Sequence, residues 1–113
     1  MFASTDYRWR NTGCSRVAQF DVYTMKEGAL VVDCQAELLS AMETRFVVPL
    51  LAPGLVEQTA RLNPRLALDG DAIILYPQGA ASVPKSELRV RSGSLADDRD
   101  TILSALDMLL TGS

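Results

Sequence analysis

With 113 residues, 48% of them hydrophobic and 22% charged, the chain is too short for two domains and too apolar for a disordered one. A net charge of −3 argues against general nucleic-acid binding, where Lys and Arg on phosphates supply the affinity. The absence of histidine removes the commonest general base, the commonest transition-metal ligand and every Ser-His or Cys-His pair.

Residues 1–17, MFASTDYRWRNTGCSRV, show apolar periodicity of neither kind and are read as a flexible leader from an upstream start, ahead of one domain over 18–113. From Ala18 the pattern sharpens. AQFDVYTM alternates, with Phe20 and Val22 on one face and Asp21 and Tyr23 on the other, as a strand does. KEG interrupts it, and ALVVDCQ is a second, β-branched strand joined to the first by a hairpin at Gly28. AELLSAMET is a loop or short turn that shows Leu38 and Leu39. RFVVPLL is a third strand, whose Pro49 cannot donate to a ladder and so belongs at an edge, a bulge or a bend.

APGLVEQTARLNP reads as a helical turn or a loop-rich crossover. In RLALDGDAIILYP, Asp69-Gly70 between two apolar runs is the strongest hairpin signal of the chain, because both residues tolerate the positive φ of a type I′ turn. QGAASVP is a turn or crossing segment, and SELRVRS alternates as a further strand. The period then changes. Ser94 and Asp97 have capping-box spacing, Asp98 and Asp100 place acid where a helix dipole favours it, and Ile102, Leu106 and Leu109 recur at i, i+4, i+7. The expected fold class is therefore mainly β with a C-terminal α-helix: a small, strongly bent sheet or barrel with the helix laid against it.

Catalytic chemistry finds little support. Asp97, Asp98 and Asp100 are better explained by a helix start than by a metal, Ser82 and Ser86 have no histidine to activate them, and Cys34 lies in a strand as a core residue would. One arrangement survives, a nuclease using Arg45 with Asp33 or Glu37, but the chain is expected not to be an enzyme and to need no cofactor. Arg61, Arg65, Arg89 and Arg91 are scattered at strand spacing and read as a solvated face. No secretory segment and no apolar run of about 18 residues is present, so a cytoplasmic protein with reduced Cys14 and Cys34, bound to neither membrane nor nucleic acid, is expected.

What remains is surface. A helix on one sheet buries a stripe, which accounts for Ile102, Leu106 and Leu109 but not also for Leu103, Met108 and Leu110. A second copy of the chain across a two-fold axis would cover those three, so they are the expected homodimer contact. A domain of this size buries only about 60–65% of its unfolded surface, and a partner subunit would add to its stability.

AQFDVYTMKEG followed by VVDCQAELLS and TRFVVPLL, then AASVPKSEL and LADDRDTILSALDMLL, resembles the CcdB family of toxins from bacterial toxin–antitoxin modules, over roughly residues 18–113. The resemblance implies an SH3-like barrel of the CcdB/MazF type, homodimeric, acting in plasmid maintenance. It implies a toxin that binds the A subunit of DNA gyrase, traps the cleaved-DNA complex and is neutralised by a CcdA-like antitoxin. In the family the gyrase contact is the end of the terminal helix, closing in Trp-Gly-Ile. Here Thr111, Gly112 and Ser113 take those places, and Asp107 stands where the plasmid toxin has asparagine. Leu38 and Leu39 replace an isoleucine pair in the antitoxin-facing loop. The implied gyrase-binding set is thus Asp107, Leu110, Thr111, Gly112 and Ser113 with Leu38 and Leu39. Because Thr111 cannot stack as the tryptophan does, the alternatives are a gyrase-inactive relative that binds only antitoxin, and an endoribonuclease toxin of the MazF type on the same barrel.

Overall fold

The computed structural model describes residues 18–39, 41–54 and 61–112. The expected leader over 1–17, the ambiguous stretch at 55–60 and the final Ser113 lie outside the described residues.

Among the described residues, seven antiparallel strands form one sheet: β1 (Asp21–Met25), β2 (Leu30–Asp33), β3 (Thr44–Leu51), β4 (Arg65–Leu68), β5 (Asp71–Leu75), β6 (Ala81–Pro84) and β7 (Leu88–Ser94). One helix, α1 (Arg99–Thr111), follows. The spatial order is β4-β5-β3-β2-β1-β7, with β6 also paired to β3. The sheet curls enough that a Cβ on Gly93 of β7 would lie 2.9 Å from Leu68 Cδ1 of β4, so the two ends of the strand order meet through side chains. This is the expected class, a mostly β half-barrel with one C-terminal helix.

Local chemistry explains the clearest turn. Asp69 and Gly70 take φ of 52° and 87°, so β4 and β5 are joined by the type I′ geometry that Asp-Gly favours. Pro49 is a different matter. It sits within the central strand and not at an edge, in the gap where β6 has stopped pairing at Val47 and β5 begins at Leu50. Its carbonyl accepts the Tyr76 N–H at 3.0 Å on that flank, so the missing donor faces a place where no ladder bond is needed. QGAASVP, read as a crossing segment, contains strand β6, whose existence depends on β3 being there to pair with it.

Both faces of the sheet are covered. Val22, Val32, Val48, Leu50 and Leu75 pack with Leu66, Ile73, Leu95, Ile102 and Ala105 on the helix side. Burying one such side chain contributes about 1.5–3 kcal/mol. Tyr23, Val31 and Val47 form a smaller cluster on the opposite face with Met25, Val83 and Leu88. Asp21, on the same face as Tyr23, is buried as well.

At the helix start, the expected capping box does not form. A 3-10 turn, Ala96–Asp98, intervenes. Ser94 Oγ accepts the Ala96 N–H at 3.2 Å across the entry to that turn, while Leu95 and Asp98 occupy the N-caps of the turn and of α1 without side-chain bonds. Ile102 and Ala105 are fully buried, and Leu103 and Leu106 pack partly on the same core. Leu103, expected to face a partner copy, therefore already leans on its own sheet. Leu109, expected in the core stripe, is 40% exposed, because it lies beyond the last buried position of the helix.

Candidate partner-binding surface

Apart from Val90 on β7, the exposed large apolar side chains among the described residues gather at two places. At the end of α1, Leu110 is 77% exposed beside Leu109, followed by exposed Thr111. Gly112 closes the helix in the left-handed region, φ 78°, and its N–H donates to the Met108 carbonyl at 2.9 Å. Thr111 Oγ1 donates back to the Asp107 carbonyl at 2.7 Å, which turns the hydroxyl toward the helix. Asp107 is exposed and Met108 half-buried. These bonds are all local, made within one helical turn.

The second place is the 3-10 turn Glu37–Leu39 between β2 and β3. Leu38 is 94% exposed, and Leu39 and Met42 are nearly half exposed, with Phe46 of β3 at the border. Beneath this turn the fully buried Arg45 and Asp33 form a two-pronged ion pair, Nε to Oδ2 at 2.7 Å and Nη2 to Oδ1 at 3.2 Å. α1 seats Ile102 and Ala105 in the main core of the sheet and lies beside the 3-10 turn at Pro77–Gly79. The two leucine surfaces thus belong to separate parts of the fold, each set on its own element.

The Arg45–Asp33 pair is the one considered above as nuclease machinery. The residues do meet, but with both side chains at 0% exposure neither reaches a phosphodiester from solvent, and Glu37 is exposed away from that pair. Cys34 lies in the main core, where burial foremost, with the Asp33 charge behind it, pushes its thiol up to about 12. That is the behaviour of a packed thiol and not of a nucleophile. Tyr23, on the opposite face, is likewise pushed up to about 12 by burial, then by Asp21 and Asp33. The four arginines of the expected solvated face sit in different surroundings. Arg65 and Arg89 lie on β4 and β7, Arg91 pairs with Asp21 at 3.1 Å, and Arg61 lines a shallow groove of about 320 Å³ beside Asp100, Thr101 and Ser104.

Sequence reading located Leu38, Leu39 and Leu110 as exposed residues, and missed Met42 and Phe46 beside the turn. The alternation of RFVV places Phe46 opposite the buried Arg45 and Val47, a signal that was available. The frame under the turn was visible only as two opposite charges inside apolar strands. No helix among the described residues is long and apolar enough to cross a membrane.

A family model described as "CcdB protein" matches residues 19–112. No curated protein matches the chain. Among solved structures, an endoribonuclease from Mycobacterial species is similar in fold, with a TM-score of 0.71 and 13% identity over 84% of this chain and 91% of that one. That likeness overturns the expectation that the chain is not an enzyme. The same backbone plan carries a ribonuclease in the neighbour, so the fold gives no ground for excluding catalysis.

Proposed function

The chain belongs to the CcdB family of toxin–antitoxin toxins, and from that premise we propose that it inhibits DNA gyrase by binding the A subunit and trapping the cleaved-DNA complex, with a CcdA-like antitoxin to neutralise it. The observation that carries this reading is the exposed apolar end of α1, with Leu110 77% exposed. Contiguous apolar side chains left in water mark a protein interface, and this end coincides with the segment through which the family is implied to hold gyrase. In this reading Asp107, Leu110, Thr111, Gly112 and Ser113 contact gyrase, together with Leu38 and Leu39. Leu103, Met108 and Leu110 serve a two-fold homodimer, in which Met108→Glu is expected to leave monomers by light scattering; a dimer of that variant would refute the assignment.

Thr111 offers a methyl group and a hydroxyl turned back on the helix, where the family implies an aromatic. An aromatic anchor at an interface contributes about 2 kcal/mol or more, so the contact here rests on the leucines. The test is purified protein with gyrase, ATP and supercoiled plasmid, scored for linear DNA after detergent, with Thr111→Trp alongside. Linear DNA from the unmodified chain is expected, and more from Thr111→Trp. No linear DNA from either would remove gyrase as the target.

A second reading, an endoribonuclease toxin, is favoured by the fold of the mycobacterial neighbour alone. Its test is incubation of RNA with the same preparation: cleavage would establish it, and intact RNA would end it.

A further inference from the structure

The carbonyl oxygen of Leu39 is an unusual point of convergence. It accepts from the Met42 N–H at 3.1 Å, from Arg45 Nη1 at 3.1 Å and from Gln35 Nε2 at 3.3 Å. A carbonyl has two lone-pair directions, so three donors on it restrain its position closely. The donors are themselves fixed. Arg45 is clamped on Asp33, and Asp33 Oδ1 also accepts the Gln35 N–H at 3.0 Å. Gln35 Oε1 accepts the Phe46 N–H at 2.8 Å, just past the last paired residues of β2 and β3, Asp33 and Val47. The amide of Gln35 therefore does two things at once: its oxygen extends the β2–β3 ladder by one bond, and its nitrogen ties the exposed turn to that ladder.

Such a frame exceeds what a solvent-exposed turn needs for its own stability. It is what a contact surface needs, since an interface side chain already held in its bound position loses less freedom on association. We propose that Gln35, backed by the buried Asp33–Arg45 pair, is a positioning residue that fixes Leu38 and Leu39 in the orientation in which they meet a protein partner. The partner role of the two leucines rests on the function proposed above; the positioning does not.

Two variants separate this from general stabilisation. Gln35→Ala removes both halves of the amide, whereas Gln35→Glu keeps an oxygen for the Phe46 N–H and loses the donor to Leu39. Hydrogen exchange of the full chain, read amide by amide, is expected to quicken at Leu39 and Met42 on the order of tenfold in both variants. Protection at Val32 and Val48 should be unchanged in both, and protection at Phe46 should survive in the Glu variant. Unchanged exchange at Leu39 and Met42, or loss spread evenly over β2 and β3, would overturn the positioning role. Calorimetric titration with the gyrase A subunit completes the test. Binding on the order of tenfold weaker in Gln35→Ala than in the unmodified chain is expected, and equal affinity would overturn the link to partner binding. An unmodified chain that fails to bind would remove the gyrase reading, while the exchange comparison still decides the positioning role.

Discussion

Leu38 with Leu39, and Leu109 with Leu110, are two exposed pairs of leucines that the chain holds by different means. At the helix end, Gly112 bonds to Met108 and Thr111 to Asp107, each four residues back. The pair in the turn depends on a buried ion pair spanning twelve residues and on a glutamine that bridges two strands. The contrast separates two ways of presenting apolar surface. A helix end follows from local backbone geometry and is tuned one residue at a time, whereas a turn of three residues has no geometry of its own and borrows it from the core.

The comparison is broken most severely by Arg45→Ala. It strands Asp33 as a buried charge, so a loss of about 3–5 kcal/mol in urea unfolding is expected, with the turn affected before α1. A loss below about 1 kcal/mol would mean that the pair is no frame. Ile102→Ala tests the other side: truncating a fully buried side chain that seats α1 on the sheet is expected to cost about 2–5 kcal/mol. Leu110→Ala, on the same helix, should stay within about 0.5 kcal/mol of the unmodified chain. Equal effects from these two in unfolding of the single chain would contradict the exposure of Leu110 at the helix tip.

Alkali sharpens the difference, because it acts on groups packed around the turn's frame. Cys34 and Tyr23 rise from 9.0 and 10.0 to about 12, so the unfolded chain ionises them first. Their contribution is fully present below about pH 9 and is lost as pH rises toward 12. The urea midpoint is expected to fall across that window, and less steeply in Tyr23→Phe; a flat midpoint would contradict the burial of both groups. A modest effect is expected from Gly112→Ala, which puts a side chain at φ 78° and should cost about 1 kcal/mol. Hydrogen exchange at the Gly112 site should quicken while the turn at Leu39 is untouched.

Much of the fold was legible because it is written locally. Asp69-Gly70 specifies its turn by the φ values two residues tolerate, and the change from alternation to a helical period marks where β7 ends. The paired motifs around VVDCQAELLS and TRFVVPLL carried the family. Where reading failed, the deciding partner lay far away in sequence. Pro49 is harmless in a central strand only because two different strands flank it and leave a gap. The segment containing β6 becomes a strand because β3 offers an edge, and Ser94 bonds the Ala96 N–H instead of capping α1 because a 3-10 turn lies between them.

The same division holds for the surfaces. The sequence by itself determined a sheet followed by an amphipathic helix, and leucines too numerous for one core face. Only the tertiary structure decided which of them stay in water, moving Leu103 toward the core and Leu109 out of it, because the stripe continues along the helix past its last buried position. It also decided that Asp33 and Arg45 are scaffold and not chemistry. Two opposite charges inside apolar strands have either meaning until the fold shows whether solvent reaches them.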